Sequence, residues 1–395
     1  MRSVPVARTD YNVGIGYLRA FATVLVIEHH AFVGYLSILP AQAAFGDPSG
    51  PWQAFPIVDP NRWIGFDLPI VWNDTTLMSL MFFVSGLFVL PSLRRKGGGA
   101  FLRDRALRLG VPFLVAATLV SPLAYSATYL ATIPSPHVAD FVGRWLALDN
   151  WPAGPAWFIW VLLAFDCVAA LLFALAQHWD DVVGRASIDR VLRVPTAFFL
   201  TIVAVTAAAY LPMVFVFGPD AWTAVGPFAF QLSRILHYAA WFAAGVAVGA
   251  YGIERSLFAS DGPLARAWAR WLGAAAGVFG IAVAMIVAYM SAQTPVRLFG
   301  LGLTFVLSCA VSILAATAIA LRFARSRTPM LDSLRDNAYG MYLVHYAFVT
   351  WLQYAFLRAA LPGALKGVAV LAGATALSWC TVALLRRIPA VAKVI

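Results

Sequence analysis

The chain has 395 residues, of which 62% are hydrophobic and only 12% charged, with a formal net charge of +10. Soluble globular domains are about 45–50% apolar, which excludes an ordinary soluble enzyme; the apolar runs are continuous rather than alternating, which excludes a transmembrane barrel. These properties predict an all-α polytopic membrane protein whose cations mark the loops on one side of the bilayer and not a nucleic-acid surface.

Apolar windows long enough for a span of about 20 residues fall at 14–37, 75–93, 109–132, 155–177, 195–217, 228–251, 270–291, 298–321, 338–357 and 364–385. They predict ten transmembrane helices in a single membrane domain over 1–395. The cations alternate with these spans. Arg2 and Arg8, then Arg94, Arg95, Lys96, Arg103, Arg105 and Arg108, then Arg185, Arg190 and Arg193 share one side. So do Arg255, Arg266, Arg270, Arg322, Arg325, Arg327, Arg335, Arg386, Arg387 and Lys393, while the opposite loops hold only Arg62, Arg144, Arg297, Arg358 and Lys366. The positive-inside rule then places both termini in the cytoplasm of a multi-pass protein of the cell inner membrane or plasma membrane.

The first window, Gly14–Tyr35, carries Arg19, Glu28, His29 and His30 inside its apolar run. A charge at mid-bilayer costs about 2.5–3.5 kcal/mol on insertion scales, so such groups face a protein interior and serve a function. At about 100° per residue, Arg19, Thr23, Val26 and His30 form one narrow stripe, with Arg19 and His30 about 16 Å apart along the axis. Glu28 differs from His30 in phase by about 200° and points to another helix. Ala41-Gln42-Ala43 offers a signal-peptidase pattern, but the preceding run exceeds the usual signal core of about 7–15 residues and is broken by Glu28, His29 and His30, so a retained helix is expected.

Residues 38–74 form an extracytoplasmic loop with Asp47, Asp59, Asp67 and Asp74 against Arg62. Composition fits either an ordered lid or a solvated connection with Trp52, Trp63 and Trp72 at the interface. The second helix carries Met81–Leu93, with Ser85 within it, and runs into a basic stretch containing Gly97-Gly98-Gly99. On a helix beginning near Phe101, Arg105 and Arg108 share a face and can fork onto phosphate oxygens; charge alone would read them as a topology signal. Asp166 lies in the fourth helix, and Arg234 and His237 stand three apart in the sixth; pairing of the aspartate with the arginine, or of the arginine with Glu28, would satisfy them structurally. Tyr339, Tyr342 and His345 repeat at helical spacing in the ninth, a pattern that also serves simple packing. His137 and His178 receive no role, and Cys167, Cys309 and Cys380, all in apolar runs, read as packing thiols without a disulfide or metal site.

Taken together and in order, five segments resemble the acyltransferase-3 family of integral membrane acyltransferases. They are Leu18-Arg19-Ala20 through His30-Ala31, Phe82-Phe83-Val84-Ser85-Gly86-Leu87, Arg105-Ala106-Leu107-Arg108-Leu109-Gly110-Val111-Pro112, Trp157-Phe158 through Leu162-Leu163, and Ala338-Tyr339-Gly340-Met341-Tyr342-Leu343-Val344-His345. Many surface-polysaccharide members have Asp before the second-helix aromatics, where this chain has Ser79. The resemblance implies an O-acyltransferase that moves an acetyl or succinyl group from cytoplasmic acyl-CoA (acetyl-CoA or succinyl-CoA) to a hydroxyl of an extracytoplasmic glycan or a small-molecule alcohol. It implies His30 as general base with Arg19, and Arg103, Arg105 and Arg108 at the CoA phosphates. Glu28, Ser85, Trp157, Arg234, Tyr339, Tyr342 and His345 would line the substrate cavity. No metal is implied; membrane lipid is a neighbour, and accessory envelope proteins would take any onward transfer, since no soluble hydrolase-like domain is expected. A proton-coupled transporter or flippase would carry similar intramembrane charges, but no matched pair of motifs links 1–200 with 201–395 as transporter repeats would. A non-catalytic scaffold would have no use for His30.

Overall fold

A computed structural model describes residues 12–48, 50–175 and 186–395; Arg2, Arg8, His178 and Arg185 lie outside the described residues. In chain order the elements are α1 (Val13–Val33), α2 (Asp67–Gly86), α3 (Val89–Lys96), α4 (Gly98–Thr132), α5 (Val138–Leu146), α6 (Trp157–Leu175), α7 (Ala186–Arg193) and α8 (Pro195–Phe217). The hairpin β1 (Trp222–Val225) and β2 (Phe228–Gln231) follows, then α9 (Ile235–Tyr251), α10 (Trp268–Ser291), α11 (Pro295–Phe323), α12 (Pro329–Phe356) and α13 (Gly363–Leu385). The protein is an all-α polytopic membrane protein. Among the described residues, seven helical runs (α2 with α3, α4, α6, α8, α10, α11 and α13) are long and apolar enough to cross a bilayer. Outside that set are the 17-residue α9 and the two helices that carry the paired histidines, α1 and α12. Leu171, Leu200, Ile281 and Val287 are exposed on the outer helices, as lipid-facing side chains are.

Three boundaries depart from the hydropathy windows. Helix α2 begins at Asp67, so 67–74 belongs to a helix whose first turn carries an acid, which suits the positive end of the helix dipole. The sixth window does not start as a helix: Phe228–Gln231 pairs antiparallel with Trp222–Val225, with Thr223 opposite Phe230. Aromatic and β-branched residues favour the strands, and Gly226 at φ +58 makes the turn. Helix α4 is one run from Gly98, interrupted by π-helical turns at Ala106–Gly110 and Ala116–Val120. Pro112 and Pro122 follow closely on these turns; each lacks an N–H, and the wider π turn absorbs the missing bond.

Residues 38–48 and 50–66 pack on the helices as a cap. Phe45 and Trp52 are buried with Tyr125, Tyr129 and Trp145, Tyr125 Oη donates to Gln53 O at 2.7 Å and Thr128 Oγ1 donates to Pro56 O at 2.8 Å. The fully buried Lys366 of α13 reaches Asp59 at 2.7 Å. Trp72 belongs to α2, where its indole N–H donates to Ser312; Trp63 remains exposed.

The contact that positions the site is α2 against α9. A Cβ on Gly245 would lie 2.1 Å from Phe83 O, and one on Gly249 would lie 2.0 Å from Leu87 O. Gly245 and Gly249 form a small-xxx-small pair that lets the two backbones touch, as membrane helices do where burial against lipid offers no driving force. Gly245→Val cannot be housed without parting these helices. It should destabilise the protein by about 1–3 kcal/mol, seen as a lowered Tm in detergent, whereas Gly99→Ala, with open space around it, should leave Tm near that of the wild type.

Candidate active site

Helix α1 packs against α2, α11, α12 and α13, and Asn12 caps its start by accepting from the Ile15 N–H at 3.0 Å. Near its other end Glu28, His29 and His30 project in three directions and each keeps part of its surface accessible. That accessible surface leaves this end of α1 open to a ligand. Glu28 Oε2 accepts from Asn73 Nδ2 of α2 at 3.1 Å. His29 lies within the electrostatic reach of Asp74 and Arg234. The His30 ring meets α12, with its centroid 5.4 Å from His345 and 5.0 Å from Tyr346, and 5.3 Å from its neighbour His29. Gln353 of α12 ties down the helix end by donating to His30 O at 3.0 Å and Ala31 O at 3.2 Å.

His345 is fully buried. Its Nδ1 stands 2.7 Å from Tyr342 O, and a carbonyl only accepts, so Nδ1 carries the proton and Nε2 presents a lone pair when the ring is neutral. That Nε2 has no partner among the described residues. Tyr346 Oη lies 3.5 Å from Tyr125 Oη, which links the imidazole pair through Gln53 to the cap. Tyr342 Oη donates to Pro155 O, and Tyr339 Oη donates to Arg108 O. The α12 stripe thus runs from the basic side of the bundle to His30.

On the basic side Arg19, Arg103 and Arg108 are exposed. Arg105 is different: its Nε lies 3.1 Å from the buried Asp166 of α6, and its guanidinium lies 4.9 Å from the Phe101 ring centroid. The π turn that begins at Ala106 changes the helical phase, so Arg105 points inward and Arg108 outward, instead of sharing a face. Between Arg19 and His30 the expected stripe is packed, with Thr23 and Val26 buried.

Several expected cavity residues lie elsewhere. Ser85 sits twelve residues beyond Asn73 on α2, about 18 Å along the axis, which sets it apart from the Glu28–His30 end of α1. Trp157 packs against Trp222 and Tyr238, away from both imidazoles. Arg234 immediately precedes α9 rather than lying inside a helix; it donates through Nη1 and Nη2 to both carboxylate oxygens of Asp74 at 2.9 and 2.7 Å. His237 is buried between Tyr210 and Phe305. Sequence reasoning missed Asn73, Asp74 and Tyr346. The polar Asn73-Asp74 pair at the edge of an apolar window was the available signal for the first two. Among the described residues no group of three His, Cys, Asp or Glu side chains is arranged to hold a metal ion.

A family profile described as an acyltransferase domain matches residues 12–383. The chain belongs to the acyltransferase-3 family. No curated protein and no solved structure matches it. Membership makes this a membrane acyltransferase, and the profile spans both the imidazole pair and the basic stretch of α4.

The two α4 arginines should separate by experiment. Arg105→Ala leaves the Asp166 carboxyl buried without its countercharge and should cost about 3–5 kcal/mol of stability. Arg108→Ala, at an exposed position, should stay within about 0.5 kcal/mol of the wild type. Thermal unfolding of the purified acyltransferase reads both, and equal Tm values would remove the structural role of Arg105.

Proposed function

We propose that this acyltransferase moves an acetyl or succinyl group from cytoplasmic acyl-CoA to a hydroxyl of an extracytoplasmic glycan or related alcohol, with His30 as general base. The observation that carries the reading is the His30–His345 pair, in which only His30 keeps accessible surface while His345 is fully buried. An incoming hydroxyl can reach one ring and not the other. A thioester is already activated, so the reaction chiefly needs a deprotonated acceptor, and general-base help of this kind gives about 10²–10⁴-fold. His30 takes the proton as the acceptor oxygen bonds to the thioester carbonyl carbon. The tetrahedral intermediate collapses with cleavage of the C–S bond, and the imidazolium returns the proton to the departing thiolate. The acyl ester and free CoA thiol leave the imidazole as it began.

The donor side follows from charge. Arg103 and Arg108 are exposed on the same side as Arg19 and are free of the Asp166 pairing that holds Arg105, so they are the groups to meet CoA phosphates as forked donors. Arg105 supports them by anchoring α4. Because Thr23 and Val26 are buried, entry of the pantetheine arm requires α1 to part from its neighbours. Positive-inside reasoning supports the basic side as cytoplasmic with about ten spans crossing the bilayer, and a place in the cell inner or plasma membrane.

His30→Ala should lower acyl transfer by at least about 100-fold while Tm stays near that of the wild type. Mass spectrometry of envelope glycans and lipids from cells with and without the protein should show an added acetyl or succinyl mass that disappears in the variant. Retained transfer would remove His30 from the chemistry. The double variant Arg103→Ala/Arg108→Ala should raise KM for acyl-CoA about tenfold with kcat preserved, the pattern of a lost uniform binding contact.

A further inference from the structure

On the basic side of the bundle, α3, α6, α7 and α9 meet without filling the space between them. They leave a slot of about 360 Å³, more than twice the volume of about 150 Å³ at which an engineered apolar cavity takes up benzene. Every side chain that lines the slot is apolar. The buried Val89, Leu90 and Leu93 of α3 form its floor. One wall is α6 between Phe165 and Leu172, and the other is α9, where small side chains such as Ala239, Ala243 and Ala250 leave room. Val168 and Leu172 are 54% and 48% exposed, so the slot is open along its side, as a site reached from lipid would be.

Length and charge say what fits. Ala239 and Ala250 are eleven residues apart on α9, about 16 Å along its axis, close to half of the roughly 30 Å hydrocarbon core of a bilayer. That is the reach of an acyl chain in one leaflet. At the same end as Ala250 the slot is rimmed by cations. Helix α3 ends in Arg94-Arg95-Lys96 and α7 carries Arg190 and Arg193, against one acid, Asp189, in these two helices. Arg94 Nη1 donates to Ala250 O at 3.4 Å. The Arg193 guanidinium lies 5.7 Å from the ring centroid of Tyr251, the next residue, and its Nε lies 2.8 Å from Asp189. Helix α7 suits this boundary, since Ile188 and Leu192 line the slot while Arg190 and Arg193 are exposed, the pattern of a helix lying in the membrane interface.

We propose that the slot holds an acyl chain of an anionic phospholipid from the leaflet on the basic side, with the lipid phosphate at Arg94 and Arg193. Basic pockets between transmembrane helices select lipid headgroups by such a charge match, and guanidinium groups suit phosphate oxygens. A zwitterionic lipid offers the same chain but brings an ammonium group to a cationic rim. The seated chain bridges α6 and α9, beside Phe165, whose neighbour Asp166 anchors Arg105. The inference does not depend on the chemistry at His30.

The test uses the full chain purified in detergent and titrated with dioleoylphosphatidylglycerol or dioleoylphosphatidylcholine, which share their chains and differ in headgroup charge. Native mass spectrometry reads the affinity for the first lipid bound. The phosphatidylglycerol should bind at least about tenfold more tightly, since each arginine near an anionic headgroup contributes about fivefold, and it should raise Tm by binding the folded state. Arg94→Gln/Arg193→Gln should bring the two lipids towards equal affinity. Arg387→Gln, exposed just past α13, should leave the preference as it is. Ala243→Phe, whose ring enters the slot, should lose most of the affinity for both lipids; if it fails to fold, the arginine pair, both exposed, still decides. Equal affinity of the wild type for the two lipids, or a preference that the arginine variant leaves unmoved, overturns the proposal in favour of unspecific lipid contact. Displacement of the phosphatidylglycerol by palmitoyl-CoA at a lower concentration than its own overturns it in favour of a long-chain acyl thioester.

Discussion

Three consecutive ionisable side chains on a helix packed among others must each find a different neighbour, because successive residues turn by about 100°. On α1 this geometry sends Glu28 to Asn73 of α2, His29 towards the Asp74–Arg234 pair and His30 to His345 and Tyr346 of α12. Ionisable groups at membrane depth are costly unless paired or set around a polar cavity. The surrounding helices are accordingly arranged to satisfy this one short stretch. Its accessible surface is what remains for a substrate.

The partners are brought to α1 by devices of different kinds. Glycine contact between α2 and α9 sets the two backbones side by side, which places the residue just before α9 within reach of Asp74. Hydrogen bonds from Gln353 join α1 to α12 and hold the His30 turn. The cap is fastened by a buried Lys366–Asp59 pair and by tyrosine and threonine hydroxyls that donate to its backbone. Removing either member of such a buried pair leaves an uncompensated charge, so the attachment is strongly determined even if its net contribution to stability is small.

The basic side follows a different logic. Two arginines three residues apart look interchangeable on an α-helix, yet Arg105 is committed to Asp166 and Arg108 is exposed. A π turn next to a proline separates them. Exposure and structural anchoring are therefore divided between neighbours on one helix, and in the proposed reaction the exposed arginines meet the donor's phosphates. His30 lies near the end of α1 opposite Arg19, so donor and acceptor approach it from opposite ends of the same helix in the proposed reaction.

Much of this was legible in the linear chain. Continuous apolar runs dictate a helical membrane protein, since lipid allows few other ways to satisfy the backbone. The placement of Arg19, Glu28, His29 and His30 within such a run singles out α1 as the helix whose polar groups need partners, and the phase of Glu28 points it to a helix other than the one His30 meets. Tertiary structure alone decided the rest. Hydropathy averages over a window, so it hid the Asn73-Asp74 turn in a loop and the 228–231 strand in a helix. It also cannot register a π turn, which changes helical phase without changing composition. Whether Arg234 pairs with Asp74, or Arg105 with Asp166, depends on which helices touch and at what depth. Those contacts are set by glycine gaps and side-chain packing between segments far apart in the chain, and local periodicity carries no record of them.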